Sequence, residues 1–391
     1  MDKNIGFLFG SYISTLAGLP PTQGLTETVL KGENIKRYTS GHYDKTNITK
    51  YHDKCVQQII RFLKILNKEI DSYYMETSVK NPNYEDIYYL IQQIEDALTG
   101  EFDNPGIQPL IDKLIETNFI INNANSHDTS KQFLKRLTTE TLNYIKDIVW
   151  VKLLEKPGDI SHLNIIKDAI SDDELLNVDI YTLNHDKILE NFLSDKFIDG
   201  FEEEDKEIKG LRFWNPYLFE NKSVKTRVFK LHGSVDWFAF RPEGTESWNE
   251  RYAIRTNNNP GIWHTNHLDV VLGERRPIFL IGTYNKMLNY IGGIYLDIYC
   301  YFYKAIRDSK KLVISGYSFG DKGINTYIIH WMGLSSDHRI ILIHPNPDEL
   351  EHNSRGNIKN KWDSWKKDTR LILISKGFKE TSWDEIKKVL K

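Results

Sequence analysis

Cysteine is scarce in this chain, because the 391 residues include only Cys55 and Cys300. A disulfide framework is therefore not expected, and a zinc site built from four cysteines is excluded within one chain. His264 and His267 have a spacing of three residues, but no cysteine or carboxylate cluster accompanies them in the sequence. The sequence therefore predicts no metal site.

An excess of one charge and long apolar runs are lacking as well. The 51 Lys and Arg nearly balance the 54 Asp and Glu, which gives a net charge of −3 and no direct indication of nucleic-acid binding. No run approaches the ~20 apolar residues that cross a bilayer, and the N-terminus lacks the features of a signal peptide. We therefore expect a soluble cytoplasmic protein without a membrane partner.

Hydrophobic residues make up 40% of the chain and aromatic residues 12%, which is enough for a large packed core. At ~150 residues per domain, this length favours two structural units. Short apolar runs that end in glycine or polar residues predict strands at 4–10, 178–184, 228–233, 277–282, 311–318, 339–346 and 370–375.

Helical patterns separate several of these strands, for example at 286–307 and 321–333. Strands that alternate with helices are typical of βαβ winding, in which both faces of a parallel sheet are covered. We therefore predict an α/β fold with a Rossmann-like parallel sheet and helices on both of its faces.

The apolar pattern changes to helical spacing between residues 46 and 151. This change predicts an all-helical module, inserted into a Rossmann-like domain that comprises residues 1–45 and 152–391.

Ligands of open α/β sheets bind outside the carboxyl ends of the strands. Four predicted strand ends carry polar residues: GSYIS at 10–14, TLNHD at 182–186, KLHGSVDW at 230–237 and SGYSFGD at 315–321. Each segment alone also suits an ordinary turn, so the prediction depends on their order and spacing.

Together these segments resemble the sirtuin-like NAD-binding family, in the branch found among bacterial anti-phage defence proteins. FGSYIS…AGLP resembles the family's FGAGIS…AGIP loop, and TLNHD resembles its T-x-N-Y/I-D motif. KLHGSVDW closely matches K-L-H-G-S-x-D-W and is the most specific part. GYSFGDKGIN resembles a late G-Y-S-F-x-D-x-x-I-N element. The resemblance covers residues 4–30 and about 178–350.

The resemblance implies that Asn184 and His232 are the catalytic residues. Asn184 would orient a water beside C1′ of the ribose, because an amide both donates and accepts hydrogen bonds. His232 would act as a general base or polarise a ribose hydroxyl. Asp186 would hold the nicotinamide amide or stabilise the developing oxocarbenium charge.

The resemblance also implies a set of residues that bind NAD+. Backbone N–H groups of a glycine- and serine-containing loop can hold a pyrophosphate. Adenosine-ribose binding is assigned to Asn346, with His344 as its competitor. The implied NAD+-binding residues besides Asp186 are Gly10, Ser11, Tyr12, Ser14, Gly18, Ser234, Gly316, Ser318 and Asn346.

Three further positions are open to more than one interpretation. Tyr12 stands where the family has glycine: it would stack on a ribose or base, narrow the entrance, or mark an inactive pocket. We favour a restricted entrance, because a defence NADase must be silent until it is triggered. The presence of both Asn184 and His232 argues against an inactive pocket. His185 is interpreted as a packing substitution. Asp321 is interpreted as a helix cap at least as readily as a ligand contact.

Deacetylating sirtuins carry a four-cysteine zinc ribbon, which this chain cannot form. Water is then the simplest acceptor, so the resemblance implies hydrolysis of NAD+ to ADP-ribose and nicotinamide, as an effector that depletes NAD+ in anti-phage defence. The alternatives are a non-catalytic subunit that senses NAD+ or ADP-ribose and controls an ATPase or nuclease, and a zinc-free deacylase. The implied partners are further copies of this chain and a HerA-type ATPase.

Overall fold

The computed structural model describes residues 3–47, 53–77, 81–124, 128–194, 197–206, 208, 210–242, 250–256, 270–272 and 275–390. His264 and His267 lie outside the described residues. Strands run over β1 (Asn4–Phe9), β2 (Ile35–Arg37), β3 (Tyr43–Lys45), β4 (Asn177–Thr182), β5 (Leu211–Phe213), β6 (Thr226–Lys230), β7 (Trp237–Pro242), β8 (Arg251–Arg255), β9 (Val270–Leu272), β10 (Lys311–Ser315), β11 (Arg339–Ile343) and β12 (Leu371–Ile374).

Helices run over α1 (Tyr12–Leu16), α2 (Thr22–Lys31), α3 (Lys54–Thr77), α4 (Tyr84–Thr99), α5 (Gln108–Ile115), α6 (Asn118–Asn123), α7 (Ser130–Leu153), α8 (Asn164–Ser171), α9 (Ile188–Leu193), α10 (Asn285–Asn289), α11 (Gly293–Arg307), α12 (Lys322–Leu334), α13 (Pro347–Asn353), α14 (Asn357–Lys367) and α15 (Trp383–Leu390). None of the described helices is long and apolar enough to cross a membrane.

In the described part of the chain, six strands form a parallel sheet in the order β12-β11-β10-β1-β4-β6. From β1, the chain first builds outward through β4 and β6, then returns to the other side of β1 and adds β10, β11 and β12. This is the doubly wound Rossmann order, and its direction changes between β1 and β10. The predicted α/β fold class is confirmed.

Both faces of the sheet are buried, which explains why its strands read as continuous apolar runs. Along β1, Phe7 and Phe9 face a cluster that includes α8, α9 and α15, whereas Leu8 faces a cluster with α11, α12 and α14. Alternate side chains of one strand therefore hold helices on opposite faces of the sheet.

The prediction of a strand at 277–282 is wrong. Phe279 makes only an isolated bridge with Gly233, and the segment instead lies along the loop that follows β6. The N–H groups of Ile278 and Leu280 donate to the carbonyls of Trp237 and His232, at 2.7 and 2.9 Å. The segment is apolar because it is buried against that loop. Its partners are the turn after β6 and the first residue of β7, and they form no regular ladder with it.

An antiparallel sheet in the order β5-β8-β7-β9 was not predicted from the sequence. Trp237 of β7 packs against aromatic rings that lie next to this sheet. Its ring centroid is 5.3 Å from that of Phe201 and 6.1 Å from that of Trp214. Phe201 belongs to an acidic stretch of the sequence, DGFEEEDKEIKG at 199–210, and is itself buried.

The chain forms two compact units. Unit 1 comprises residues 1–21, 153–280 and 286–391, and unit 2 comprises residues 22–152 and 281–285. Unit 2 contains α2 to α6, nearly all of α7 and the β2–β3 hairpin, so it begins earlier in the chain than the helical module predicted at 46–151. Between residues 46 and 151 the described elements are helices.

In unit 2, polar side chains attach the hairpin to the helices. Arg37 forms a two-pronged ion pair with Glu140 of α7, at 2.8 and 2.9 Å. The backbone N–H of Tyr43 donates to the buried Asp147 carboxylate at 2.9 Å. The hairpin is therefore held by charged groups of α7 as well as by apolar contacts.

A buried ion pair joins β4 to β6 and allows a test of the sheet. Asp179 is 1% exposed and accepts two hydrogen bonds from Arg227, at 2.7 and 2.8 Å. We expect Arg227→Met to lower the free energy of unfolding by about 3–5 kcal/mol, because it leaves a buried carboxylate without its partner. Urea denaturation measures the change. In Lys310→Met, which breaks a surface pair with Asp337, stability should stay close to wild type; an equal loss in both variants contradicts the prediction.

Candidate active site at the carboxyl edge of the sheet

The ends of β1 and β10 pack directly against each other at the point where the winding direction changes. A Cβ atom at Gly10 would overlap the carbonyl of Gly316, and Gly316 itself has a positive φ of 70°. The Gly10 N–H donates to the Ser315 carbonyl at 3.1 Å, and the Tyr12 N–H donates to the Gly316 carbonyl at 3.3 Å. Glycine at both positions therefore allows the two strand ends to meet.

A chain of hydrogen bonds connects the loop after β1 with the loop after β4. Asn184 Nδ2 donates to the Gly10 carbonyl at 3.1 Å and to Ser14 Oγ at 2.8 Å. Ser14 Oγ in turn donates to Asp186 Oδ2 at 2.5 Å. A carboxylate only accepts, so Ser14 must donate to Asp186 and accept from Asn184. This chain fixes which end of the Asn184 amide faces the β1 loop.

His232 follows β6 and is buried at a sharp turn. Gly233 has a φ of 79°, and a side chain there would overlap the Ile278 carbonyl. His232 Nε2 lies 3.3 Å from Asp321 Oδ2 and 3.4 Å from the Tyr290 hydroxyl. The imidazole therefore contacts a carboxylate from the loop after β10 and a phenol next to α10.

The loops after β4 and β6 are held side by side. Thr182 and Lys230 are register partners at the ends of these strands. The Val235 N–H donates to the His185 carbonyl at 2.9 Å, and the centroids of the His185 and His232 rings are 6.2 Å apart. The residue that follows Asn184 therefore lies close to His232.

Paired charges support this edge of the sheet. The buried Lys230 forms an ion pair with Glu190 at 2.7 Å and also donates to the Asp186 carbonyl. Burial raises the pKa of Glu190, and the positive charge of Lys230 opposes that effect. Lys187 pairs with Asp236 at 2.9 Å. Because each of these lysines is paired with a carboxylate of the protein, the two ion pairs hold the loops in position.

His185 is a neutral, buried imidazole. Burial lowers the pKa of His185 well below its ordinary value, and the nearby positive charges of His232, Lys286 and Lys230 lower it further. Its ring packs against Phe279, with 4.9 Å between the centroids. This environment agrees with the interpretation of His185 as a packing residue.

The other predicted NAD+-binding residues are placed differently. Ser234 is fully buried; its hydroxyl donates to Asp236 Oδ1 at 2.6 Å and lies 3.3 Å from the His185 carbonyl. Asn346 is exposed and caps α13 by accepting from the Glu349 N–H at 3.4 Å. Gly18 and Ser318 are exposed. Among the contacts of described residues, none joins Gly18, Ser318 or Asn346 to Asn184 or His232.

The loop after β1 turns at once into the short helix α1. Ser11 precedes it and Tyr12 is its first residue, in a right-handed conformation that tolerates a side chain. The Tyr12 side chain is 45% exposed. The N–H groups of Ile13 and Ser14 donate to the carbonyls of Gly10 and Ser11. Pyrophosphate binding by this loop stays a prediction.

Sequence reasoning missed the partners of His232. Asp321 does cap α12, since it accepts from the Ile324 N–H at 3.0 Å, but its carboxylate also contacts the imidazole. The position of Asp321 after a strand end was the feature of the sequence that could have indicated a site residue. Tyr290 has no such feature, because it follows a short helix. Within the described ranges, no group of three His, Cys, Asp or Glu is arranged to hold a metal ion.

Residues 178–368, slightly less than half of the chain, match the family model of the SIR2-like domain. The match includes Asn184, His232 and Asp321 and does not include the loop after β1. It supports a sirtuin-like family and an NAD-related function, since SIR2-like domains are commonly NAD-dependent enzymes. No curated protein matches the chain.

The position of Ser14 in the hydrogen-bond chain can be tested through stability. We expect Ser14→Ala to lower the free energy of unfolding by about 1–3 kcal/mol, because the buried Asn184 amide and Asp186 carboxylate each lose a partner. Chemical denaturation measures this, with Ser11→Ala at an exposed position as the matched control. Equal stability of the two variants would show that the hydrogen bonds from Asn184 through Ser14 to Asp186 contribute nothing to the free energy of unfolding.

Proposed function

We propose that the protein is an NAD+ glycohydrolase, with Asn184 and His232 as its catalytic residues. The observation that carries this proposal is the fixed orientation of the Asn184 amide at the end of β4. Both hydrogen bonds of this side chain are donated by Nδ2, among the described residues, so Oδ1 remains to accept a hydrogen bond from the attacking water. An amide held in one orientation suits the task of aiming a nucleophile.

The proposed reaction breaks the bond between C1′ of the ribose and the pyridinium nitrogen. The electron pair stays with nicotinamide, which leaves as a neutral molecule, and C1′ acquires oxocarbenium character. The oxygen of water then bonds to C1′ and releases one proton, which gives ADP-ribose. The Asp186 carboxylate is the negative group proposed to stabilise the positive charge near C1′.

His232 is proposed to accept the released proton, directly or through a ribose hydroxyl. Its imidazole is buried, which by itself disfavours a positive charge. The adjacent Asp321 carboxylate opposes that effect and favours the positively charged form that proton uptake creates. Gly10, Ser11, Ser14, Gly18, Ser234, Gly316, Ser318 and Asn346 remain the proposed set that binds the rest of NAD+.

In the cell, we propose a cytoplasmic effector that depletes NAD+ during anti-phage defence. The proposed assembly consists of further copies of this chain, together with a HerA-type ATPase. The helical segment at 46–151 is the proposed location of the assembly contacts. These proposals rest on the motif resemblance, to which the SIR2-like match adds support for the family.

The catalytic assignment predicts that Asn184→Ala and His232→Ala each abolish turnover. We expect a loss of about 10²-fold or more, because each removes a group that acts on the reacting water or proton. Nicotinamide release from NAD+ measures the rate, with the proposed partner present and absent. Asn177→Ala, at the opposite end of β4, and His330→Ala, on the surface of α12, are matched controls. Full activity in Asn184→Ala would overturn the mechanism.

We also propose that Tyr12 restricts the entrance to the site. Its phenol projects from the first residue of the helix that follows Gly10, and it is half-exposed. A nucleotide that approaches the ends of β1 and β10 would meet this ring. An NAD+-consuming effector must be inactive until it is triggered, and a removable side chain at the entrance would contribute to that.

Restriction by Tyr12 predicts that Tyr12→Gly raises kcat/KM for NAD+ and tightens NAD+ binding, because the entrance loses its ring. Steady-state kinetics and calorimetric titration measure the two effects. Tyr73→Gly, which removes an exposed tyrosine from α3, controls for the loss of helix propensity. Unchanged turnover together with unchanged affinity in Tyr12→Gly rules out the restriction.

A second candidate function is a non-catalytic subunit that binds NAD+ or ADP-ribose and controls an ATPase or nuclease. The many paired groups at the site favour it, since most of the loop N–H groups and charges are already occupied within the protein. Binding of NAD+ without nicotinamide release, with the partner present, identifies this case. A zinc-free deacylase is the third candidate, and a peptide deacetylation assay tests it.

A further inference from the structure

His232 has a carboxylate partner that comes from a distant part of the chain. Asp321 follows β10 and precedes α12, and its Oδ2 lies 3.3 Å from His232 Nε2. The side chains of His232 and Asp321 are 4% and 11% exposed. At low exposure, little water competes for this contact, so it is stronger than the same contact at the surface.

The position of the Asp321 carboxylate is fixed by several neighbours. Oδ1 accepts from the Ile324 N–H at 3.0 Å, which anchors it to the start of α12. The Tyr317 hydroxyl lies 3.0 Å from the Asp321 backbone carbonyl and 2.8 Å from Asn325 Oδ1, so its single proton is shared by two acceptors and ties the Asp321 backbone to α12. The Asp321 carboxylate is therefore held by the fold independently of His232.

The charged and titratable groups that face this pair favour an ionised Asp321. Burial opposes ionisation, but the hydrogen bond from His232, the positive charge of Lys286 and the hydrogen bond from the Ile324 N–H hold the pKa of Asp321 well below its usual range. Tyr290 lies 3.4–3.5 Å from the carboxylate oxygens, and burial raises the pKa of Tyr290 so that it stays a neutral donor. His185, the other nearby imidazole, is neutral.

We propose that Asp321 is a positioning residue for His232. Its carboxylate accepts the proton on Nε2, which fixes the neutral imidazole in the tautomer whose Nδ1 carries the lone pair. When Nδ1 takes up the proton released in NAD+ hydrolysis, the imidazolium that forms lies beside the carboxylate and is stabilised by it. This inference rests on the proposed function.

The test uses Asp321→Asn in the full-length protein. Asparagine has the same shape and is an equally good N-cap, so α12 keeps its start while the negative charge is lost. We expect kcat for NAD+ to fall by about 10²-fold with KM little changed, in the range that general-base catalysis contributes. Loss of the carboxylate also lowers the pKa of His232, so the acid limb of the pH–rate profile moves to lower pH.

Nitrogen-15 NMR of histidine-labelled protein reports the tautomer and the titration midpoint of His232. Neither would change in Asp321→Asn if Asp321 only stabilised the fold. The His232 signals are assigned by their absence in His232→Gln. In the wild type we expect the Nε2–H tautomer, and in Asp321→Asn a lower titration midpoint for His232. Asp172→Asn, which removes an ion-paired carboxylate at the opposite edge of the sheet, is the matched control and should change neither.

The outcomes separate the two proposals. An Nδ1–H tautomer in the wild type, or an Asp321→Asn variant with unchanged kcat and pH profile, overturns the role of Asp321 while the proposed reaction stands. In the opposite case, the wild type shows the expected tautomer, and Asp321→Asn the expected shift in the His232 titration, while the wild type releases no nicotinamide with its partner present. That result contradicts the proposed reaction and supports the role of Asp321 beside His232.

Discussion

The contact between the backbones at Gly10 and Gly316 is the constraint on which the site depends. It brings together the ends of β1 and β10, where the sheet changes its winding direction and a crevice for a ligand is expected. Neither position accommodates a Cβ atom without displacement of the other strand end. Because β1 also pairs with β4, the same contact sets where the Gly10 carbonyl meets the Asn184 amide.

The KLHGSVDW segment combines structural and chemical residues. Lys230 and Asp236 are held in ion pairs, Trp237 packs in an aromatic cluster, and Gly233 has a backbone conformation that favours glycine. Only His232 faces other ionisable groups in a way that suits proton transfer. Much of the specificity of this motif therefore reflects the construction of a turn that holds one imidazole in place.

Buried and half-buried charges at this edge of the sheet are arranged in pairs that come from different elements: Lys230 with Glu190, Lys187 with Asp236, and His232 with Asp321. Such pairs contribute little net stability, because desolvation offsets their attraction. They do penalise any arrangement in which one partner is displaced. Their effect is to hold the loops after β4, β6 and β10 in one arrangement, which a catalytic or ligand-sensing site requires.

The strands and helices of the parallel sheet could be predicted from the sequence, because burial on both faces leaves uninterrupted apolar runs that end in glycine or polar residues. The segment at 277–282 has the same appearance but lies against a turn, since a short apolar run does not reveal what it pairs with. The second sheet was missed because its short strands carry no regular alternation. The placements of Asn184 and His232 at strand ends were predictable as positions, although their catalytic roles stay predictions.

The sequence by itself determined the fold class, the strand ends that carry polar residues and the scarcity of cysteine that excludes a four-cysteine zinc site. Only the tertiary structure decided that Ser14 links Asn184 to Asp186 and that Asp321 lies against His232. The physical reason is that hydrophobic periodicity is a local property of the chain, which neighbouring residues encode. Contacts between side chains that are far apart in the sequence depend on strand order and loop direction, and these exist only once the sheet has formed.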